Sequence, residues 1–385
     1  MKRVITATLL VASGLCSFAG VPHQIGVDIR PTYVIPTRSF FAGNNDLHRR
    51  INHSEAVHLK YAFRFSPDSY WGRTYPTAYQ GIGVGYHAFH NRVELGAPVS
   101  VYAFQGARIA KLSPRLSLDY EWNFGASFGW KKYHEIENPY NDVVGSKINA
   151  YINLGFLLNW QLNKDWNVTA GVDVAHFSDG NTNYPNSGIN TVGARIGVTR
   201  TFAAGSMASD DAAARQAQQN FKPHFSYDVV VYGAARKRGI QTDDHTYMVS
   251  GSFGVAGINV SPMYNFHRNF RLGVSLDAQF DEGANIKDYE VDKNKFHRPP
   301  FREQFAVGAS LRAEWVMSVF SVNVGVGRNL IYKGDDTKGY YQVLALKTDV
   351  THGVFLHVGY QLSKFKDPNN LMLGLGYRFH DKHGK

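Results

Sequence analysis

Hydrophobic and polar positions alternate along this chain with a period of two. From Leu116 the even positions read Leu116, Leu118, Tyr120, Trp122, Phe124, Ala126, Phe128 and Trp130, while the odd ones between them are Ser117, Asp119, Glu121, Asn123, Gly125, Ser127 and Gly129. The pattern recurs from Ala150, with Ile152, Leu154, Phe156, Leu158 and Trp160 on one side and Asn149, Tyr151, Asn153, Gly155 and Asn159 on the other. A period of two places one set of side chains on each face of a β-strand. These segments run to about 10–14 residues, whereas strands in soluble sheets average about 5–6. Long tilted strands with an apolar outer face, a polar inner face and aromatic ends are what a β-barrel in a membrane requires, because lipid offers the backbone no hydrogen bonds.

About sixteen such segments are predicted, from near Gln24 to near Leu371. The tight connections at Leu112-Ser113, Asn163-Lys164-Asp165, His267-Arg268-Asn269 and Met317-Ser318 fall at one end. The long ones, Thr37 to His53, His134 to Lys147 and Glu282 to Pro300, fall at the other. Short periplasmic turns and long outer loops are the usual asymmetry of outer-membrane barrels. Residues 203–223 differ, being rich in Ala, Gln and Ser, and read as a periplasmic linker between a first cassette, 20–202, and a second, 224–385. The expected fold is all-β: two eight-stranded barrels in tandem, or one barrel of about sixteen strands, with the tandem favoured.

Composition agrees and narrows the field. The 385 residues carry 41 Lys+Arg against 31 Asp+Glu, one Cys and 37 Gly, which excludes a disordered chain, a disulfide scaffold and a collagen. Residues 1–19 read as a secretory signal peptide: Lys2-Arg3, an apolar run from Val4 to Ala12, and Ser17-Phe18-Ala19 at the cleavage site. A lipoprotein at Cys16 is disfavoured by Leu15, where a small residue is wanted. Cleavage would remove the one Cys together with Lys2 and Arg3, leaving 39 basic against 31 acidic side chains, or +8. A basic exported barrel answers anionic lipopolysaccharide phosphates rather than nucleic acid.

One segment breaks the pattern in a way that points to chemistry. The strand from Trp166 places Val168, Ala170, Val172 and Val174 toward lipid, and the same parity carries His176 and Ser178. The next strand places Val192, Ala194, Ile196 and Val198 outward, with Asn190 in the same row. Polar groups on a lipid face are costly, less so near the interface. A Ser beside a His, with a third group to orient the imidazole, is the arrangement of nucleophilic acyl transfer, and here the ester would lie in the membrane.

The stretch His176-Phe177-Ser178-Asp179, followed by Pro185-Asn186-Ser187-Gly188, resembles the signature of the outer-membrane lipid A deacylase family, the PagL-like lipid A 3-O-deacylases also called acyloxyacyl hydrolases. The resemblance covers roughly Val21 to Phe202. It implies an eight-stranded barrel with His176 as general base, Ser178 as nucleophile, and Asn186 with a backbone N–H near Gly180 or Asn181 as the oxyanion hole. Two positions depart from the family pattern: Asn190 stands where the family has an acid, and Asp179 where it prefers Asn. The resemblance implies lipid A of lipopolysaccharide as substrate; outer-membrane lipids and a second copy of the chain stand as candidate partners, and no cofactor or metal is expected from the residues.

Other motifs are read as structural. Gly125-Ala126-Ser127-Phe128-Gly129 matches G-x-S-x-G but lies inside a strand, not on a strand-turn-helix elbow. Gly81-Ile82-Gly83-Val84-Gly85 is also strand. His87-x-x-His90 lacks a carboxylate or Cys at ligand spacing. The second cassette has no His-x-Ser on its closing strands, only a faint echo at Pro368-Asn369, and is expected to be structural or substrate-presenting. The competing reading of the whole chain is a non-enzymatic channel or scaffold.

Overall fold

The computed structural model describes residues 21–180, 182–202, 213, 216–241, 246–290, 295–351, 353–363 and 367–381. The expected signal peptide and most of the expected linker lie outside them. The first eight strands are β1 (His23–Ile35), β2 (His53–Phe63), β3 (Tyr79–Ala88), β4 (Gly96–Lys111), β5 (Leu116–Trp130), β6 (Ile148–Gln161), β7 (Trp166–Ser178) and β8 (Ile189–Phe202). They pair antiparallel in sequence order, and β1 closes on β8 with Val27 opposite Val198. The chain then continues through β9 (His224–Gln241), β10 (Thr246–His267), β11 (Phe270–Asp281), the hairpin β12 (Lys287–Glu290) and β13 (Lys295–His297), β14 (Phe305–Met317), β15 (Phe320–Ile331), β16 (Tyr340–Asp349), β17 (Val354–Ser363) and β18 (Asp367–His380). Eight of these form a second closed barrel, in which β9 pairs with both β10 and β18, and the β12/β13 hairpin stands outside it. The sixteen expected barrel strands are therefore two barrels, not one.

Alternation settles which face each residue takes. On β1, Ile25, Val27 and Ile29 are exposed on the outside, while Asp28 and Arg30 are buried in the lumen. Neither barrel is hollow. In the first, Lys60 bridges Asp28 (3.0 Å) and Glu121 (3.2 Å), Arg195 reaches Glu121 at 2.5 Å, and Arg30 reaches Asp28 at 2.6 Å and Asp173 at 3.2 Å. Tyr102, Phe104, Tyr151 and Phe177 fill the lumen above them. In the second, Arg378 and Lys347 clamp Asp228 and Glu314, and Arg271 adds a bond to Glu314 at 2.9 Å. Removing one partner of such a buried set strands a charge, at a cost of about 3–5 kcal/mol.

The outward row of β5 departs from expectation in two places. Tyr120 and Trp122, expected to face lipid, are only 5% and 7% exposed. The second barrel covers them: Tyr120 lies 4.7 Å from Trp315 and Trp122 meets the Phe320 ring edge-on at 4.8 Å. Gln105, on the outward face of β4, is buried in the same seam, where it accepts from Trp122 Nε1 and donates to the Tyr120 hydroxyl. Trp130, also expected outside, is turned into the lumen beside Phe89 and Phe177, because Gly129 takes φ +90° and breaks the alternation there. A second contact sits at the short-turn end, where Tyr75, just after the helix Tyr70–Thr74, donates to the Arg268 carbonyl at 2.7 Å. Among the described residues no helix is long and apolar enough to cross a membrane; the apolar outer bands belong to the strands.

Candidate active site

β7 and β8 pair in a register that places His176 directly opposite Asn190. Cross-strand partners on one face have Cβ atoms about 4.5–5.5 Å apart, within reach of a ring and an amide. Ser178 follows His176 by two residues and so shares its face. The result is a connected row: Asn190 Oδ1 lies 2.7 Å from His176 Nδ1, and His176 Nε2 lies 2.8 Å from Ser178 Oγ. With Nδ1–H donating to Asn190, the Nε2 lone pair faces the Ser178 hydroxyl, which donates to it. On β6 the residue opposite Ser178 is Ala150, which leaves space around the hydroxyl. Below the row, exposed Ile152, Leu154, Phe156, Val172 and Val174 continue the face as an apolar band.

The loop after Ser178 is shaped by glycine and held by its neighbours. Gly180 and Gly188 take φ +64° and +70°, the left-handed region that favours glycine. A Cβ on Gly188 would also come within 3.0 Å of His176 Cε1, so the backbone must pass the imidazole bare. Asn186 Oδ1 accepts the Asp179 backbone N–H at 3.1 Å, which turns its Nδ2 donor the other way. Asp179 itself is buried, and the acceptor on the imidazole is Asn190. Asn181 lies outside the described residues.

Several supports carried no signal in the sequence. Gly188 N–H donates to the Val143 carbonyl at 3.1 Å, Ser187 Oγ donates to the Asp142 carbonyl at 3.1 Å, and Arg38 Nε donates to Ser187 Oγ at 2.7 Å. Gly145 passes so close to Pro185 that a Cβ there would lie 2.5 Å from its carbonyl oxygen. Two long loops thus brace the 179–189 segment from positions remote in sequence. The second barrel reaches it as well: a Cβ on Gly180 would lie 2.8 Å from Leu371 Cδ2.

The other motifs occupy structural places. Ser127 is buried, donating to the Asn149 carbonyl and accepting from Trp130 Nε1. His87 sits in the lumen against Ser100, whereas His90 is exposed outside. Asn369 Oδ1 accepts from Arg236 in the second barrel.

A family model described as lipid A 3-O-deacylase (PagL) matches residues 55–199, and one described as acyloxyacyl hydrolase, C-terminal domain, matches residues 225–381. The chain belongs to the lipid A 3-O-deacylase (PagL) family. The activity of this family is deacylation of lipid A, a hydrolysis, and its place is the outer membrane. The family extends further along the chain than the His176–Gly188 signature indicated, because the second barrel is itself a family domain. No curated protein matches the chain. Solved structures similar to it include a mutant porin of Rh. blastica (8% identity, 93% of this chain and 100% of that one, TM-score 0.17). The siderophore receptor PirA from Pseudomonas aeruginosa is another (8%, 92% and 80%, TM-score 0.26), as is an outer-membrane channel from Pseudomonas putida F1 (11%, 94% and 96%, TM-score 0.20). At such TM-scores the superpositions carry no argument, and the fold rests on the strand pairing.

Proposed function

We propose that this PagL-family protein is a serine esterase that removes an ester-linked acyl chain from lipid A, with Ser178 as nucleophile, His176 as general base and Asn190 as the group that orients the imidazole. The observation that carries the reading is the hydrogen-bonded row Asn190–His176–Ser178 on the outer face of the barrel, above an apolar band. His176 Nε2 takes the Ser178 proton as Oγ bonds to the ester carbonyl carbon. The oxyanion so formed accepts from Asn186 Nδ2 and from a backbone N–H in the turn at Gly180. As the intermediate collapses, the bond between the acyl carbon and the sugar oxygen breaks, leaving the acyl group on Ser178, and His176 gives the proton to the departing sugar oxygen. Water, deprotonated by the same imidazole, then releases the fatty acid from Ser178.

The ester cut is taken to be that at the 3-position of the glucosamine backbone, after the family's name; the acyloxyacyl ester is its chemical neighbour. Of the rival readings, a channel or a scaffold without activity, the channel has against it two lumens crossed by ion pairs and aromatic side chains, and the scaffold is separated by the experiment that follows. Mass spectrometry of lipid A from membranes carrying wild type or Ser178→Ala tests the proposal. Loss of one hydroxyacyl mass with wild type alone supports 3-O-deacylation, and loss of an unsubstituted acyl mass reassigns the ester. Identical spectra would sink the esterase.

A further inference from the structure

His53 and Glu55 stand two residues apart on the outward row of β2, above exposed Val57 and Leu59. The pairing of β2 with β3 brings the loop after β3 back over them, so that His90, which adopts φ +58°, closes on both. His90 Nε2 contacts Glu55 Oε2, the His53 and His90 rings lie 4.8 Å apart, and one ligand atom from each of the three residues falls within 4.8 Å of the others. His53 Nδ1 lies 3.1 Å from Asn52 Oδ1; with Nδ1–H donating there, the Nε2 lone pair is free to bind. A second hydrogen bond of this kind is what fixes a metal-binding imidazole in its tautomer.

We propose that His53, Glu55 and His90 bind a zinc-class divalent cation at the level of the lipid head groups, and that its open coordination position takes a phosphate oxygen of the lipid substrate. Two imidazoles and one carboxylate are a donor set zinc accepts while keeping a fourth position open. Tetrahedral ligands at zinc distances lie about 3.4 Å apart, so the three exposed side chains need only small rotations to close on an ion. The cluster is also near the proposed chemistry. Asn190 on β8 pairs with Ile35 on β1, and Tyr33 on β1 pairs with His53 on β2, which puts the cluster two strands from Asn190 and three from Ser178 on β7, on the same outer rim. At the spacing of adjacent strands Ser178 is then at least about 14 Å away around the wall, so a phosphate held at the cluster belongs to the far end of a phosphorylated disaccharide head group. This second half of the proposal rests on the reading of the chain as a lipid A deacylase; the cation site does not.

Titration of the folded full chain in detergent with zinc ion alone reads the site directly. Wild type should take up about one equivalent saturably, Glu55→Gln should bind at least about tenfold more weakly, and the His53→Ala/His90→Ala double variant should bind none. His134→Ala, at an exposed histidine elsewhere on the same rim, should bind as wild type does. No saturable uptake by wild type, or equal uptake by the double variant, would leave His90 and Glu55 as a plain ion pair and overturn the cation site. Binding of lipid A to Ser178→Ala protein, which requires no turnover, tests the head-group role. Zinc should tighten binding of phosphorylated lipid A about tenfold and leave dephosphorylated lipid A unchanged, with millimolar inorganic phosphate failing to displace the lipid. Equal effects on both lipids, or displacement by inorganic phosphate, would overturn the head-group role while the cation site stood.

Discussion

The two barrels share a plan and differ in one strip of surface. Each closes eight antiparallel strands around a lumen packed with ion pairs: Asp28, Lys60, Glu121 and Arg195 in the first, Asp228, Glu314, Lys347 and Arg378 in the second. The outward row at the closing strand of the second is apolar, running Leu371, Leu373, Leu375, Tyr377. The corresponding rows of the first carry His176, Ser178 and Asn190 at the long-loop rim. Where the inside of a barrel is filled to hold it shut, chemistry on a lipid substrate has to be built outside, and a single register pairing suffices to assemble it. The scaffold is common to both barrels, and the proposed function is assigned to the strip in which they differ.

The largest test of that contrast is Ser178→Ala. It should reduce deacylation by roughly 10³-fold or more, read from lipid A mass spectra, while both barrels keep their heat-modifiable mobility in gels; retained activity would erase the functional difference between the barrels. Next come the lumens, where the barrels should behave alike. Glu121→Gln leaves Lys60 and Arg195 short of a partner, and Glu314→Gln does the same to Lys347, Arg378 and Arg271. Each should lower stability in urea titration by about 3–5 kcal/mol. Glu314→Gln should leave kcat intact in the folded protein, and a collapse of kcat there would mean that the second barrel shapes the site more than its contact at Gly180 implies.

Gly188→Ala sharpens the contrast at the loop. The left-handed backbone and the 3.0 Å approach to His176 should cost about 1–3 kcal/mol, seen mainly as a lower kcat because the imidazole is displaced. The smallest change expected is at Asn190. Asn190→Asp places a carboxylate on His176 Nδ1, which favours the charged imidazole in the transition state and should raise kcat about tenfold. The same carboxylate favours imidazolium in the resting enzyme, so activity lost on acidification should fail at higher pH in the variant than in wild type. A pH profile of kcat/KM on both proteins checks the sign.

The strand pattern was legible wherever one side of the chain faces lipid and the other a polar lumen. Trp166, Val168, Ala170, Val172 and Val174 announce a lipid-facing row, and His176 and Ser178 stand out as exceptions to it. Asn190 joined them by parity alone, and pairing in register then brought it to hydrogen-bonding distance of the imidazole. Legibility failed where a residue's neighbour comes from elsewhere. Tyr120 and Trp122 read as lipid anchors because a strand facing a second barrel has the same apolar composition as one facing hydrocarbon. Trp130 read the same way because one positive φ at Gly129 reverses the parity after it. The His87-x-x-His90 stretch reads as a surface loop, yet strand geometry sends His87 inward to Ser100 and sets only His90 outside, against Glu55 and His53.

By itself the sequence determined the class of fold, the two cassettes and the lipid-facing Ser178, His176 and Asn190, because a period of two is a local property that backbone geometry imposes on each strand separately. Tertiary structure decided the rest: that sixteen strands close as two barrels, that the seam between them buries Gln105 with Tyr120 and Trp122, and that Arg38, Asp142 and Val143 brace the loop beside Ser178. Those outcomes depend on which strand ends meet and which loops share a rim. Contacts of that kind join residues separated by tens to hundreds of positions, and periodicity carries no record of them.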